Sequence, residues 1–236
     1  FTFMVLPFTI YASHYWDRLK AMALVRGHLF TVSAPSGAGK TSLVDALLAT
    51  DQRLKVSVSH TTRPIRPGEV DGVNYHFVDA ATFAQMVNDG RFLEHATVFG
   101  NAYGTSKDWV DRQLSLGTDV ILEIDWQGAQ QTHQWLAAEL GESGVGIFIL
   151  PPSMEALQAR LTGRGQDDEA VIAGRMAAAV DEMRHYHHAD YLIVNDDFEA
   201  ALADLQAVIQ AQRLSRTQQQ QQYKGLLAAL IQDSDQ

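Results

Sequence analysis

The chain has 236 residues, 46 % of them hydrophobic, enough to fill the core of one sizeable α/β domain and too short for two full domains. Lys and Arg total 18 against 28 Asp and Glu, a formal charge of −10. That balance argues against non-specific nucleic-acid or anionic-membrane binding as the main role, and any anionic ligand must be held by a local basic cluster. Cysteine is absent, which excludes disulfides, thiolate metal sites and a cysteine nucleophile and fits a cytoplasmic location.

The apolar run from Phe1 to Ala12 is about half the length that spans a bilayer. It has no basic segment before it and no small-residue cleavage site after it, so it is not read as a leader. Residues 1–21 are expected to lie upstream of the functional domain as a mis-assigned start; the other reading is an apolar arm packed on the body or on another subunit. Leu29 to Ser33 then reads as a strand, and apolar residues at helical spacing follow Ser42. Between them stands Ala34-Pro35-Ser36-Gly37-Ala38-Gly39-Lys40-Thr41. Strand, glycine-bearing loop and helix in that order make a phosphate site: Gly37 and Gly39 let the backbone curl until successive N–H groups converge on phosphate oxygens. Lys40 would reach the β and γ phosphates and the Thr41 hydroxyl would ligate Mg²⁺. The first position, usually Gly, is Ala34.

Leu54 to Ser59 alternates like a strand. The next stretch, His60 to Glu69, sets Arg63 and Arg66 three apart between prolines, a loop able to clamp a phosphate, although two solvated surface arginines would look the same. A short strand over 74–78, a helix over 81–89 ended at Gly90, and a strand over 92–99 come next. Glu94 lies inside that last apolar run and needs a partner there. Asn101 to Ser106, with Tyr103 and Thr105, is read as turning the chain back, so that 60–106 forms a compact insertion.

Asp119 to Ile124 is a buried strand with Asp125 at its C-terminal end, where parallel sheets keep functional carboxylates. Capping of a helix running through Leu140 explains Asp125 equally well. A strand over 145–150 follows, then a helix capped by Ser153 and ending with Arg160 near Leu161. Arg164 lies in a glycine-flanked loop, and Arg175 on a helix with an apolar stripe of Ile172, Met176 and Met183; a mobile basic loop on a nucleotide-binding fold suggests a closing lid. His185, His187 and His188 are read as favourable charges at a helix C-terminus rather than metal ligands. A last strand over 190–194 leads to Asn195 and a helix over 198–213. The alternation of strands and helices implies a parallel sheet covered on both faces. The Gln-rich tail, 214–236, is expected to be a marginal helix or a disordered end.

Several motifs, in order, carry a resemblance to bacterial guanylate kinases over residues 28 to about 210. They are Ser36 to Thr41, Ser57 to Arg66, Gly68 to Gly72, Tyr75, Glu94, Tyr103-Gly104-Thr105, Ile124 to Gly128, Arg164-Gly165 and Val194-Asn195-Asp196. The resemblance implies a P-loop NTPase three-layer α/β sandwich within 22–213. Its core would be 27–57, 107–161 and 175–213, its GMP-binding insertion 58–106 and its lid 162–174. The implied reaction is ATP-dependent, Mg²⁺-assisted phosphorylation of GMP, and of dGMP, with no nucleic-acid or membrane partner and with homo-oligomerisation left open.

Carried over by resemblance, Arg63, Arg66, Tyr75 and Tyr103 would hold the GMP phosphate, and Ser59, Glu94, Thr105 and Asp125 the guanine. Lys40, Arg160, Arg164 and Arg175 would stabilise the transferred phosphoryl group, and Asn195 would lie near the ATP adenine. The chemistry agrees: guanine offers N1–H and N2–H to a carboxylate beside an O6 acceptor for hydroxyls, whereas adenine would leave Glu94 unpaired. Thr105 stands where Ser is common and Glu123 where Asp is common. Two alternatives carry other expectations. A ribose 1,5-bisphosphate phosphokinase shares the loop and arginines but has no base to read, and a non-catalytic guanylate-kinase-like interaction module loses the loop chemistry.

Overall fold

Parallel strands are buried on both faces and therefore read as continuous apolar runs, and Leu29–Ser33, buried at every residue, forms the central strand β1. The computed structural model describes residues 25–98, 100–141, 143–163 and 169–232. Residues 1–21, part of the expected lid and Arg164 itself lie outside the described residues.

After β1 come helix α1 (Lys40–Thr50), β2 (Leu54–Val56), β3 (His60–Thr61), β4 (His76–Phe77), α2 (Ala80–Asn88), β5 (Phe92–Val98) and β6 (Asn101–Ser106). They are followed by α3 (Lys107–Ser115), β7 (Asp119–Glu123), α4 (Trp126–Trp135), β8 (Val145–Leu150), α5 (Met154–Thr162) and α6 (Glu169–Met183). The chain closes with β9 (Tyr191–Val194), α7 (Phe198–Arg213), α8 (Arg216–Gln222) and α9 (Lys224–Gln232).

Five strands form one sheet in the order β2-β7-β1-β8-β9, all parallel. The period of two along each strand divides the core. Phe30, Val32, Ile121, Ile147 and Ile149 pack with Leu43, Val44 and Leu47 of α1 and Leu205 and Ile209 of α7. Leu29, Val120 and Leu122 pack with Val110 and Leu114 of α3 and with Leu136. These are the three layers expected for a P-loop sandwich.

The second sheet, ordered β4-β3-β6-β5, is mixed: β3 pairs parallel with β4 and antiparallel with β6, and β5 pairs antiparallel with β6. The stretch expected only to turn the chain back is thus a full strand, β6, because β5 supplies the ladder that its polar sequence does not suggest. The expected strand over 54–59 stops at Val56. Ser57 still donates to the Ile121 carbonyl, at 3.0 Å, and the chain then crosses to β3 in the other sheet.

The helix expected to run through Leu140 changes at Leu136 into one π turn, Leu136–Leu140, closed by Gly141 at φ 62°. On α6 the stripe packs as expected through Ile172 and Met176, which join Met154, Leu157, Leu161 and Ala179 in a small cluster of their own. The tail's described part forms α8 and α9; Gln218 Nε2 donates to the Arg26 carbonyl at 2.9 Å. Leu226, Leu230 and Ile231 of α9 are exposed. Among the described residues no helix is long and apolar enough to cross a membrane.

Candidate active site

The phosphate loop springs from the C-terminal end of β1, with β7 on one side in the sheet and β8 on the other, the position at which open α/β sheets bind ligands. Gly37 and Gly39 take φ of 94° and 95°, a left-handed conformation that only glycine adopts without strain. Space forbids a side chain at Gly39 as well, since a Cβ there would collide with Asn195 Nδ2. Ala34 packs its methyl group against the core, which accounts for a small apolar residue in place of the usual glycine.

Two side chains brace the loop from below. Asn195, 4 % exposed, donates from Nδ2 to the Ala38 carbonyl at 2.7 Å. Arg160 donates to the Asn195 carbonyl at 2.8 Å and, through its other terminal nitrogen, to the Ala38 carbonyl at 3.4 Å. In this arrangement Asn195 grips the loop, and Arg160 is anchored on backbone carbonyls. Neither contact is visible in local sequence.

Lys40 Nζ makes one long contact, 3.5 Å, to the Ile124 carbonyl. The Thr41 hydroxyl donates to Glu123 Oε2 at 2.9 Å. Glu123 thus stands beside the loop's hydroxyl. Asp125 caps α4, accepting from the Gly128 N–H at 2.8 Å, and also lines the cleft.

Facing the loop, Glu94 and Tyr103 of the second sheet, with Ser59 just before β3 and Tyr75 just before β4, line the same cleft, of about 360 Å³. Glu94 is 4 % exposed, and β5 pairs with β6 so that it lies opposite Thr105. The fully buried Thr105 hydroxyl donates to Glu94 Oε1 at 2.6 Å, so it orients the carboxylate. Gly128 explains how the sites meet: a Cβ there would lie 2.7 Å from Glu94 Oε2, and only glycine lets α4 approach. Burial pushes the Glu94 carboxyl up to about 7; Asp125 adds to the rise, and the Thr105 hydrogen bonds oppose it.

The arginine pair is asymmetric. Arg63 forms a two-pronged pair with Glu69 at 2.7 and 3.1 Å and lies over the Tyr75 ring, 5.3 Å from its centroid. Glu69 also accepts the Arg66 backbone N–H at 2.7 Å, while the Arg66 side chain faces solvent. Tyr75 and Tyr103 meet edge to face at 5.9 Å. Arg175 is half-buried on α6.

One residue lining the cleft, Glu182 on the last turn of α6, has no sequence signal; a lone glutamate in a helical pattern looks like any solvated face. The histidines stack instead of converging on a metal: His185 lies flat on Trp126, centroids 3.6 Å apart and planes within 10°. No group of three or more His, Asp or Glu suited to a metal ion occurs among the described residues.

A phosphate loop and a buried carboxylate thus share one cleft. The family model for guanylate kinase matches residues 26–212. The chain belongs to the guanylate kinase family. A relative described as guanylate kinase, from Saccharophagus degradans, is 58 % identical over 205 residues, covering 87 % of this chain and 98 % of the relative. Another with that description, from Pseudomonas fluorescens, is 56 % identical over 87 % of this chain and 97 % of its own. Among solved structures, that of guanylate kinase from Anaplasma phagocytophilum superposes with a TM-score of 0.66 at 32 % identity, over 81 % of this chain and 89 % of that one. Family membership makes the chain a nucleoside monophosphate kinase, a transferase on a P-loop α/β fold.

Proposed function

We propose that the chain transfers the γ-phosphoryl group of ATP to GMP, and to dGMP, giving GDP or dGDP. The observation that carries this reading is the buried, Thr105-oriented Glu94 carboxylate across one cleft from Lys40 and the phosphate loop. In its ionised form Glu94 accepts N1–H and N2–H of guanine, and Ser59 and Asp125 lie at hand in the same cleft for the rest of that edge. Arg63, Arg66, Tyr75 and Tyr103 take the GMP phosphate. For Arg63 this means exchanging the Glu69 carboxylate for a phosphate, two anions that suit the same guanidinium fork.

The donor's phosphates lie on the N–H groups of 34–41, with Lys40, Arg160, Arg164 and Arg175 on the transferred group. The acceptor phosphate is already an anion, so in-line transfer needs positioning and charge stabilisation but no general base. Hard oxygen ligands suit Mg²⁺, and the neighbouring Thr41 hydroxyl and Glu123 carboxylate fit it, Thr41 as ligand and Glu123 beside it. When bound, the ion would neutralise charge on the phosphates. Residues 58–106 serve as the acceptor-binding part and 162–174 as the lid that excludes water.

The test is ADP formation from Mg-ATP with GMP, dGMP, AMP, UMP or ribose 1,5-bisphosphate, against a blank without acceptor. Turnover with GMP and dGMP alone supports the reading. Preference for the sugar bisphosphate, or silence with every acceptor in a folded protein, contradicts it.

A further inference from the structure

β5 is the outermost strand of the second sheet, and among the described residues no strand pairs with its far edge. Such an edge presents backbone N–H and C=O groups that a further strand would otherwise take. At His95, the residue after Glu94, a side chain takes them. Gln131 of α4 accepts the His95 N–H through Oε1 at 3.1 Å and donates from Nε2 to the His95 carbonyl, also at 3.1 Å. A primary amide carries the same donor and acceptor as a peptide group, so Gln131 stands where one residue of a neighbouring strand would stand. Helix α4 thus meets β5 at two points three residues apart: Gly128 leaves room for Glu94 Oε2, and Gln131 holds the backbone of the next residue. On the other side of Glu94, Leu93 is buried with Val110, Leu114 and Leu136. That apolar contact seats the strand but has no direction, whereas a pair of hydrogen bonds fixes how the strand is turned.

We propose that Gln131 is a positioning residue for guanine selectivity, its side-chain amide clamping the His95 backbone to α4 and so fixing the aim of the Glu94 carboxylate. The proposal rests on the reading of Glu94 given above. Thr105 also orients that carboxylate, but it lies on β6 and holds Glu94 only relative to its own sheet. Gln131 belongs to the helix that follows β7 of the central sheet and is capped by Asp125. Its clamp therefore sets the carboxylate relative to the phosphate loop. Guanine offers two parallel N–H donors, which need both carboxylate oxygens in line with the base. Adenine makes no such pair, so a turned strand costs GMP more than AMP.

Q131M keeps the length of the side chain and removes both donor and acceptor. In steady-state assays with Mg-ATP, KM for GMP should rise roughly three- to tenfold and the preference for GMP over AMP should fall by a similar factor. Both kcat and KM for ATP should stay within about twofold. A lowered denaturation midpoint with KM for GMP unchanged would mark a residue that only stabilises the fold, and overturns the proposal. In E94Q, which has already lost the carboxylate, adding Q131M should change KM for GMP by less than about twofold. A full additional loss there overturns the claim that Gln131 acts through Glu94. Amide exchange of the unmodified chain, followed by NMR, decides the clamp even if Q131M does not fold. The His95 N–H should exchange at least roughly tenfold more slowly than its intrinsic rate, and exchange at the intrinsic rate overturns the proposal. Failure of the unmodified chain to phosphorylate GMP would overturn the functional reading instead, whereas GMP turnover that Q131M leaves untouched would overturn the role of Gln131 alone.

Discussion

Glu94 carries opposite demands. Guanine recognition needs its carboxylate ionised, but burial raises its pKa from the ordinary 4.5 to about 7, so the empty folded chain holds a proton that the unfolded chain has already lost. An acid raised on folding contributes stability fully present below its unfolded pKa and lost as pH rises through its folded one. The difference is on the order of 3 kcal/mol for this largely buried group. Glu94→Gln, neutral at every pH, should therefore gain about 2 kcal/mol over the unmodified chain between pH 5 and pH 8, read from denaturant midpoints at the two pH values. A gain that does not change with pH would refute the burial argument. Glu94 was legible in the sequence because a carboxylate in an apolar run demands an explanation. Its partner was not, because Thr105 meets it only through the β5–β6 register, across which its hydroxyl donates to Glu94.

At the scale of elements, the strand, loop and helix from Leu29 to Thr50 could be read directly, since every feature that makes the phosphate site is contiguous. What stiffens it could not. Ala38 is gripped by Asn195 and Arg160, 157 and 122 residues away. That brace separates two glycines with similar backbones. Gly68 (φ 87°) has nothing within 4 Å of a would-be Cβ, whereas a Cβ at Gly39 (φ 95°) strikes Asn195. Gly68→Ala should show only backbone strain, about 1–2 kcal/mol by chemical denaturation. Gly39→Ala should exceed it and raise KM for ATP as the loop shifts. Equal effects of the two substitutions would mean that the brace does not hold the loop. β6 illustrates the converse limit: Asn101 to Ser106 lacks apolar alternation and becomes a strand only because β5 and β3 pair with it.

Over the whole molecule, the parallel sheet followed from the alternation of strand and helix patterns, while the tie that closes it did not. Arg213, at the end of α7, donates to Asp51 after α1 and, at 2.6 Å, to Asp119 at the start of β7. Asp119 is 5 % exposed; burial opposes its charge, and His28 and Arg213 overcome that and hold its carboxyl below the usual range. Arg213→Ala leaves this buried charge with His28 alone. It should lower stability at pH 7 by about 3–5 kcal/mol without altering KM for GMP, as thermal melts and steady-state kinetics would report. A small loss would show that His28 suffices.

The central claim is that one cleft joins a phosphate loop to a carboxylate that reads guanine. It is tested most directly by comparing kcat/KM for GMP and AMP, with Mg-ATP at pH 8, in the unmodified chain and in Glu94→Gln. The account predicts a preference for GMP of roughly 10³ or more in the unmodified chain. Glu94→Gln should erode it chiefly through KM for GMP. An equal preference in both would contradict it.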